Sequence, residues 1–386
     1  MVRVGWHPCA RAFGAFLLFG FVAVGGASAR MDRAGHFAEE TARGPADYQV
    51  PRGAVHVFNS RQLARVLARR QPTNIVLANG VYNHREPFSD RRGHRLYAAH
   101  LGKAVLRAGI VLGANQGPAM PLVRGLRFDV SQPAKTLYGD VIHVWGSARN
   151  ARVLDTAISG HGRLAAGLVV REPEGFVARR VVVRGFKSYG VLVDSDDPGY
   201  RAKRPYLLED IAVSSVARPN RGSSKGTAEA CFWLGTQGVV HRASARRCGL
   251  VGVWTGSANT GSLVEDVAID RTEVGLYLEH FTTNSTFQRL RVGPSVTRGV
   301  NAEWADPAWG AKPGSVDNVI QDSYFNTTRV GVYLDAGTTR TQVLRSTFAG
   351  QSWAGIGNFL GVGNRFEGND FGGLLPGAVP ISPLHL

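Results

Sequence analysis

Apolar and polar positions along the chain recur as one short motif: apolar, any residue, Gly/Asp/Arg, small or apolar, any residue, apolar. Its third position falls at Gly125, Asp155, Arg180, Asp210, Arg242, Asp266, Arg289, Asp322, Arg345 and Gly368. The intervals between these anchors have a floor of 23 residues and reach 33. A basal period of that size with occasional insertions predicts a solenoid whose coils each hold three short strands, extra residues bulging out as loops. Helical repeats fit badly, because the apolar runs are short and rich in Val, Thr and Gly. The predicted fold is therefore all-β: a right-handed parallel β-helix of about ten or more coils spanning residues 52–371, followed by a C-terminal tail at 372–386.

One stretch departs from the motif. After Asn59 and Ser60, the residues Leu63, Val66 and Leu67 form an apolar stripe of helical period and Pro72 stops it. This predicts a short capping helix with Ser60 as its N-cap. It feeds a β-rich run, Asn74 to Tyr82, as an end cap would.

A second column follows each anchor by nine or ten residues, in strands that begin at Gly190, Gly252, Gly275, Gly299, Gly331 and Gly355. Side chains alternate along a strand, so the residue after each glycine points into the core and the third and fifth positions point out. Outward go Leu192, Trp254, Tyr277, Asn301 and Tyr333, and beside them Asp194, Gly256, Glu279, Glu303 and Asp335. Glu279, Glu303 and Asp335 are then expected in one row on successive coils, about 4.8 Å apart. Like charges stacked so closely raise at least one pKa and do not serve stability. Beside a row of aromatic faces they suit a sugar cleft, where carboxylates bind hydroxyls, transfer protons or hold a divalent cation such as calcium.

Glu279, Glu303 and Asp335 are accordingly the expected catalytic residues. Trp254, Tyr277, His280, Asn301, Trp304, Asp306 and Tyr333 are the expected substrate-binding residues, with no resident metal or cofactor required. Adjacent acids at about 5 Å suit a retaining glycosidase, and next-but-one acids at about 9.6 Å reach the upper end of the inverting range. The competing reading is a row of solvated strand-end acids neutralised by Arg298, Arg329 or Arg340.

Charge changes this picture in one respect. The chain carries 45 Lys+Arg against 29 Asp+Glu, a formal +16, and 39 of the basic residues are Arg. They are scattered, which argues against a nucleic-acid partner. From Asp155 to Arg345 the anchor column alternates Asp and Arg, so stacked coils would set carboxylates between guanidiniums as a structural ladder that fixes register. The residual positive balance still suits an acidic polysaccharide.

The N-terminus bears on location. Arg3 and Arg11, an apolar stretch from Phe13 to Val24, and Ala27-Ser28-Ala29 read as a secretory signal peptide over residues 1–29 with cleavage near Ala29, ahead of a flexible leader at 30–51. The expected mature protein is secreted or in the cell envelope, without a membrane span. Its two remaining cysteines, Cys231 and Cys248, either pair or stay as buried small hydrophobes. Walker, CxxC, HExxH and GxSxG motifs are absent from the sequence.

Through Phe58-Asn59-Ser60-Arg61-Gln62-Leu63 and the run Ile75 to Tyr82, together with its coil pattern, the chain resembles the right-handed parallel β-helix proteins of the pectin lyase-like superfamily. The resemblance implies the fold and, among secreted members, polysaccharide lyases, polygalacturonase-like hydrolases, epimerases or non-catalytic surface proteins. The polygalacturonase motif set is incomplete here: Gly160-His161-Gly162 precedes Asp196-Asp197, and the Asn-Thr-Asp and Arg-Ile-Lys motifs are missing. The pectate lyase strand Trp-x-Asp-His is replaced by Trp254-Thr255-Gly256. A glycoside hydrolase is the first expectation, because the distinctive column is acidic. The alternatives are a lyase, with Lys225, Arg171 or His280 as base or charge neutraliser, and a non-catalytic glycan-binding solenoid.

Overall fold

The computed structural model describes residues 48–113, 120–195, 197, 200–216, 229–256, 259–302 and 314–384. The expected signal peptide and most of the expected leader lie outside the described residues. Among them, thirty strands join one continuous sheet that winds as a parallel β-helix. Each strand pairs in parallel with its counterpart one coil on, and the register holds from coil to coil: Val253, Leu276, Val300, Val332 and Ile356 are successive Cα partners. All five are fully buried. Parallel crossovers of this kind wind right-handed. Because backbone bonding repeats at about 4.8 Å, any residue type favoured at one place in the coil becomes a column along the axis.

The anchor column has a backbone cause. All eight anchors from Asp155 to Arg345 adopt the left-handed conformation, with φ between 46° and 56°. Asp322, for example, is the single corner residue near which Val319–Gln321 gives way to Tyr324–Asn326. A second left-handed column stands five residues earlier, at Gly261, Asn284, Asp317, Arg340 and Gly363. Gly, Asp and Asn enter this region easily, whereas Arg does so at a cost of about 1–2 kcal/mol. Two sharp corners per coil leave no alternative conformation, so the neighbouring coils over-determine the strained residue.

Part of the expected ladder forms on these corners, as pairs of one aspartate with one arginine except at Asp155. Asp155 accepts from Arg124 at 2.8 Å and from Arg180 at 2.5 Å, so it does stand between two guanidiniums. Arg242 reaches Asp210 at 2.6 Å, Arg289 reaches Asp266 at 2.8 Å and Arg345 reaches Asp322 at 2.8 Å. Arg340 does the same for Asp317 at 2.6 Å on the second column. Arg242 and Arg289 also hold Glu209 and Glu265, which the motif had not brought in.

The glycine column is steric. A Cβ on Gly299 would lie 2.2 Å from the Gly331 carbonyl oxygen, and those on Gly252 and Gly275 would stand 2.7 and 2.5 Å from the next carbonyl. Cys231 occupies the equivalent place between Gly190 and Gly252, and it is bonded to Cys248 with 5.5 Å between Cα atoms. Of the two states open to these cysteines, the disulfide is the one observed.

The helix runs over Ser60–Leu67 and covers the first coils with Leu63, Val66 and Leu67. Its N-cap is Asn59 and not Ser60. The Asn59 side chain accepts from Gln62 N at 3.0 Å while Phe58 N donates to Gln62 Oε1 at 2.7 Å, a reciprocal pair that leaves Ser60 as the first helical residue. The C-cap is Ala68, short of the Pro72 stop. Tyr48, at the end of the expected leader, is docked: its hydroxyl donates to Ala98 O and its ring lies 5.0 Å from the Arg124 guanidinium. At the other end Val379–Ser382 pairs with Ala354–Asn358, so stacking continues past residue 371.

Two outcomes are expected. Gly299→Ala forces a methyl group against a backbone oxygen and should lower stability by roughly 1–3 kcal/mol, measured as a lower urea or thermal midpoint. Asp266, Asp317 and Asp322 are held below the usual carboxylate range by hydrogen bonds from Arg289, Arg340 and Arg345 respectively. Groups depressed in the folded state stabilise it above their unfolded pKa, near 4, and that contribution is lost as pH falls through the lower folded values. The thermal midpoint should therefore stay level above about pH 5 and drop below about pH 4, with a smaller drop in Asp322→Asn.

Candidate functional site

One face of the solenoid carries the outward column, and register assembles it residue by residue. Leu192, Trp233, Trp254, Tyr277, Asn301 and Tyr333 are Cα partners in that order. Ala230, Val251 and Val274 form a small apolar layer beneath Tyr189, Trp254 and Tyr277, separate from the solenoid core. The rings touch in sequence: Tyr189 to Trp233 at 5.7 Å between centroids, Trp233 to Trp254 at 4.8 Å, and Trp254 to Tyr277 at 4.9 Å. These four half-exposed aromatics make one stripe parallel to the axis.

The carboxylate column runs alongside. Partnership of Thr255, Leu278, Ala302 and Leu334 sets the next described residues, Gly256, Glu279 and Asp335, in one row. Glu279 and Asp335 are two coils apart, about 9.6 Å along the axis. Glu279 Oε2 accepts from Trp254 Nε1 at 3.3 Å, which ties the acid row to the aromatic stripe. At the N-terminal end of the row Arg171 Nη1 stands 3.5 Å from Asp194 Oδ2. Between Asp194 and Glu279 the row contains only Gly235 and Gly256, and a Cβ on Gly235 would strike the Asp194 carboxylate at 2.0 Å. The Tyr189 hydroxyl is pushed above its ordinary value by burial, then by the charges of Asp194 and Glu279.

Several expected residues are placed differently. Tyr333 is 2% exposed and lies under Trp353, 6.2 Å between centroids, and Phe359. Trp353 is the ring presented in that coil, because Gly357, the residue after Tyr333 in the column, leaves room for it: its missing Cβ would meet the Trp353 ring at 2.8 Å. Asn301 is almost buried and its Oδ1 accepts from Arg298 at 3.1 Å. His280 lies after Glu279 with its ring 5.4 Å from Phe281. Glu303, Trp304 and Asp306 lie outside the described residues. Of the arginines weighed as neutralisers, Arg298 engages Asn301 and Arg340 engages Asp317.

Trp233, Tyr189 and Trp353 belong to the face and were not singled out from sequence. Trp233 follows Ala230-Cys231-Phe232, which has the column pattern with Cys in place of Gly, so the half-cystine hid the repeat. His143 lies in the same row, three coils before Trp233, with Asp140 at 2.9 Å and Trp145 at 4.4 Å. Among the described residues one group combines a histidine with two carboxylates at metal-binding separation, His241, Glu265 and Asp266. Arg289 already bonds both carboxylates, so the group belongs to the ladder.

No protein-family model matches the chain, and no curated protein matches it in sequence. Solved structures do match. The catalytic domain of a GH87 α-1,3-glucanase in complex with tetrasaccharides superposes with TM-score 0.53 at 10% identity, covering 89% of this chain and 70% of that one. A PL6 alginate lyase in complex with a trisaccharide gives TM-score 0.53 at 10% identity, with 84% and 87% covered. A mannuronic acid specific polysaccharide family 6 lyase from human gut microbiota gives 0.54 at 10%, with 81% and 82% covered. This chain thus shares the parallel β-helix fold of these neighbours, which are named as a glucanase and as polysaccharide lyases. Among the described residues no helix is long and apolar enough to cross a membrane.

Proposed function

We propose that this protein is a secreted polysaccharide-active enzyme, a glycoside hydrolase that binds its glycan along the aromatic stripe and cleaves it at the acid row. The observation that carries the reading is the Trp254 to Glu279 bond, which puts a carboxylate at the edge of a continuous run of rings. Trp233, Trp254 and Tyr277 offer apolar faces for pyranose rings. Glu279 and Asp335 are the acid and base pair, at a separation that leaves room for an attacking water and so suits inversion. Glu303, which the sequence pattern assigns to the same column, is the nucleophile or acid if the reaction retains configuration. No metal or cofactor enters this chemistry. The extracellular or cell-envelope location follows from the signal-peptide pattern.

The lyase reading is favoured by one observation, the Arg171 guanidinium at the end of the same face, which would neutralise a uronate carboxylate. The two are separated by product. Hydrolysis releases reducing ends without ultraviolet absorption, whereas elimination creates an unsaturated, absorbing end.

The expected result is release of reducing ends from at least one member of a polysaccharide panel, with Glu279→Gln and Glu303→Gln each lowering kcat by roughly 100-fold or more and Trp254→Ala raising KM with a smaller change in kcat. Equal activity in wild type and both acid variants would refute the assignment. Binding without turnover, unaffected by neutralising Glu279, Glu303 and Asp335 together, would leave the non-catalytic glycan-binding solenoid.

A further inference from the structure

The two ends of the solenoid differ. The N-terminal end is closed by the helix Ser60–Leu67. At the C-terminal end the strands Arg365–Glu367, Asp370–Gly373 and Val379–Ser382 each have a partner strand on one side only, so three edges present unpaired backbone groups among the described residues. The core is cut open there as well. Ile381 continues the column of Val300, Val332 and Ile356, all fully buried, yet it is 43% exposed. Phe371 extends the Phe325 and Phe348 stack at 5.0 Å and is only partly covered. Among the described residues, six of the nine exposed large hydrophobic ones lie between Leu360 and Leu384, which concentrates their apolar surface at this end.

We infer that the C-terminal coil is a self-association surface on which a second copy of this chain docks end to end about a two-fold axis. The last coil of another copy presents three edges of the same length and spacing. An axis lying in the plane of the coil and passing through Phe366 sets Arg365–Glu367 antiparallel to the same strand of the second copy. That edge then gains a partner, and such a contact closes as a dimer. Charge supports this register. Arg365 and Glu367 flank Phe366, and in the isolated end they pair with each other. Across the axis Arg365 stands opposite Glu367 of the second copy, twice by symmetry, while the two Phe366 rings continue the core.

The arrangement does not depend on the proposed activity. The test is sedimentation velocity of the full chain over a concentration series, with amide exchange on the same samples. Expected are a doubled mass and slow exchange along 365–382. Glu367→Arg should weaken the dimer by roughly tenfold, and combining it with Arg365→Glu should restore it. Ile381→Asp should abolish it while the thermal midpoint shows the coil stack intact. A wild-type monomer at every concentration overturns the inference, and if residues 365–382 are then protected, another part of the chain covers this end. A dimer indifferent to all three changes overturns it too.

Discussion

The structure depends on one constraint, the in-register hydrogen bonding of each coil to the next. A parallel ladder holds partners at a fixed spacing of about 4.8 Å, so a residue's position within its coil determines its neighbours above and below. Everything else is a consequence of columns. The core is a stack of aliphatic and Phe columns, the corners are columns of left-handed residues, and the outward face is a column of rings beside a column of acids.

The constraint also explains residues that would be poor choices in isolation. Arg at a left-handed corner is costly, and Arg180, Arg242, Arg289 and Arg345 all sit there. Each is bonded to an Asp of a neighbouring coil, so the strained corner also places a guanidinium against a carboxylate. Exposed pairs of this kind contribute about 0.2–1 kcal/mol apiece, which does not offset the strain alone. Their alternation penalises a slip by one coil, since that would bring like charges together, and this is the more valuable property in a fold whose coils resemble one another.

The repeat, its period, the capping helix, the direction of each face and the Asp/Arg order were legible in the sequence because each is a column property, visible as recurrence. The face itself was legible in part. Trp254, Tyr277, Glu279 and Asp335 followed from counting two residues at a time after a glycine, and they occupy one face. Trp233 escaped because Cys231 stands where the count needed a glycine, a place filled by disulfide chemistry. Tyr333 was placed outward correctly, but Trp353 lies over it, and Trp353 belongs to the turn before its strand, where period-two reasoning says nothing. The N-cap moved by one residue because Gln62 can bond back to Phe58 only if Asn59 is the cap.

Columns also resolve the tension between a basic chain and an acidic site. Arg124, Arg180, Arg242, Arg289, Arg340 and Arg345 meet Asp155, Asp210, Asp266, Asp317 and Asp322 on the corner ladder, where the charges largely cancel, so the formal +16 comes from basic residues elsewhere. The outward face is built on different positions of the coil, and its carboxylates stand beside indoles, glycines and, at Asp194, the Arg171 guanidinium. Gly235 and Gly256 leave room in the row for the Asp194 carboxylate and the Trp233 indole, which lie over them between Asp194 and Glu279. The face thus carries an arginine and an acid toward one end and acids toward the other, beside a continuous stripe of rings.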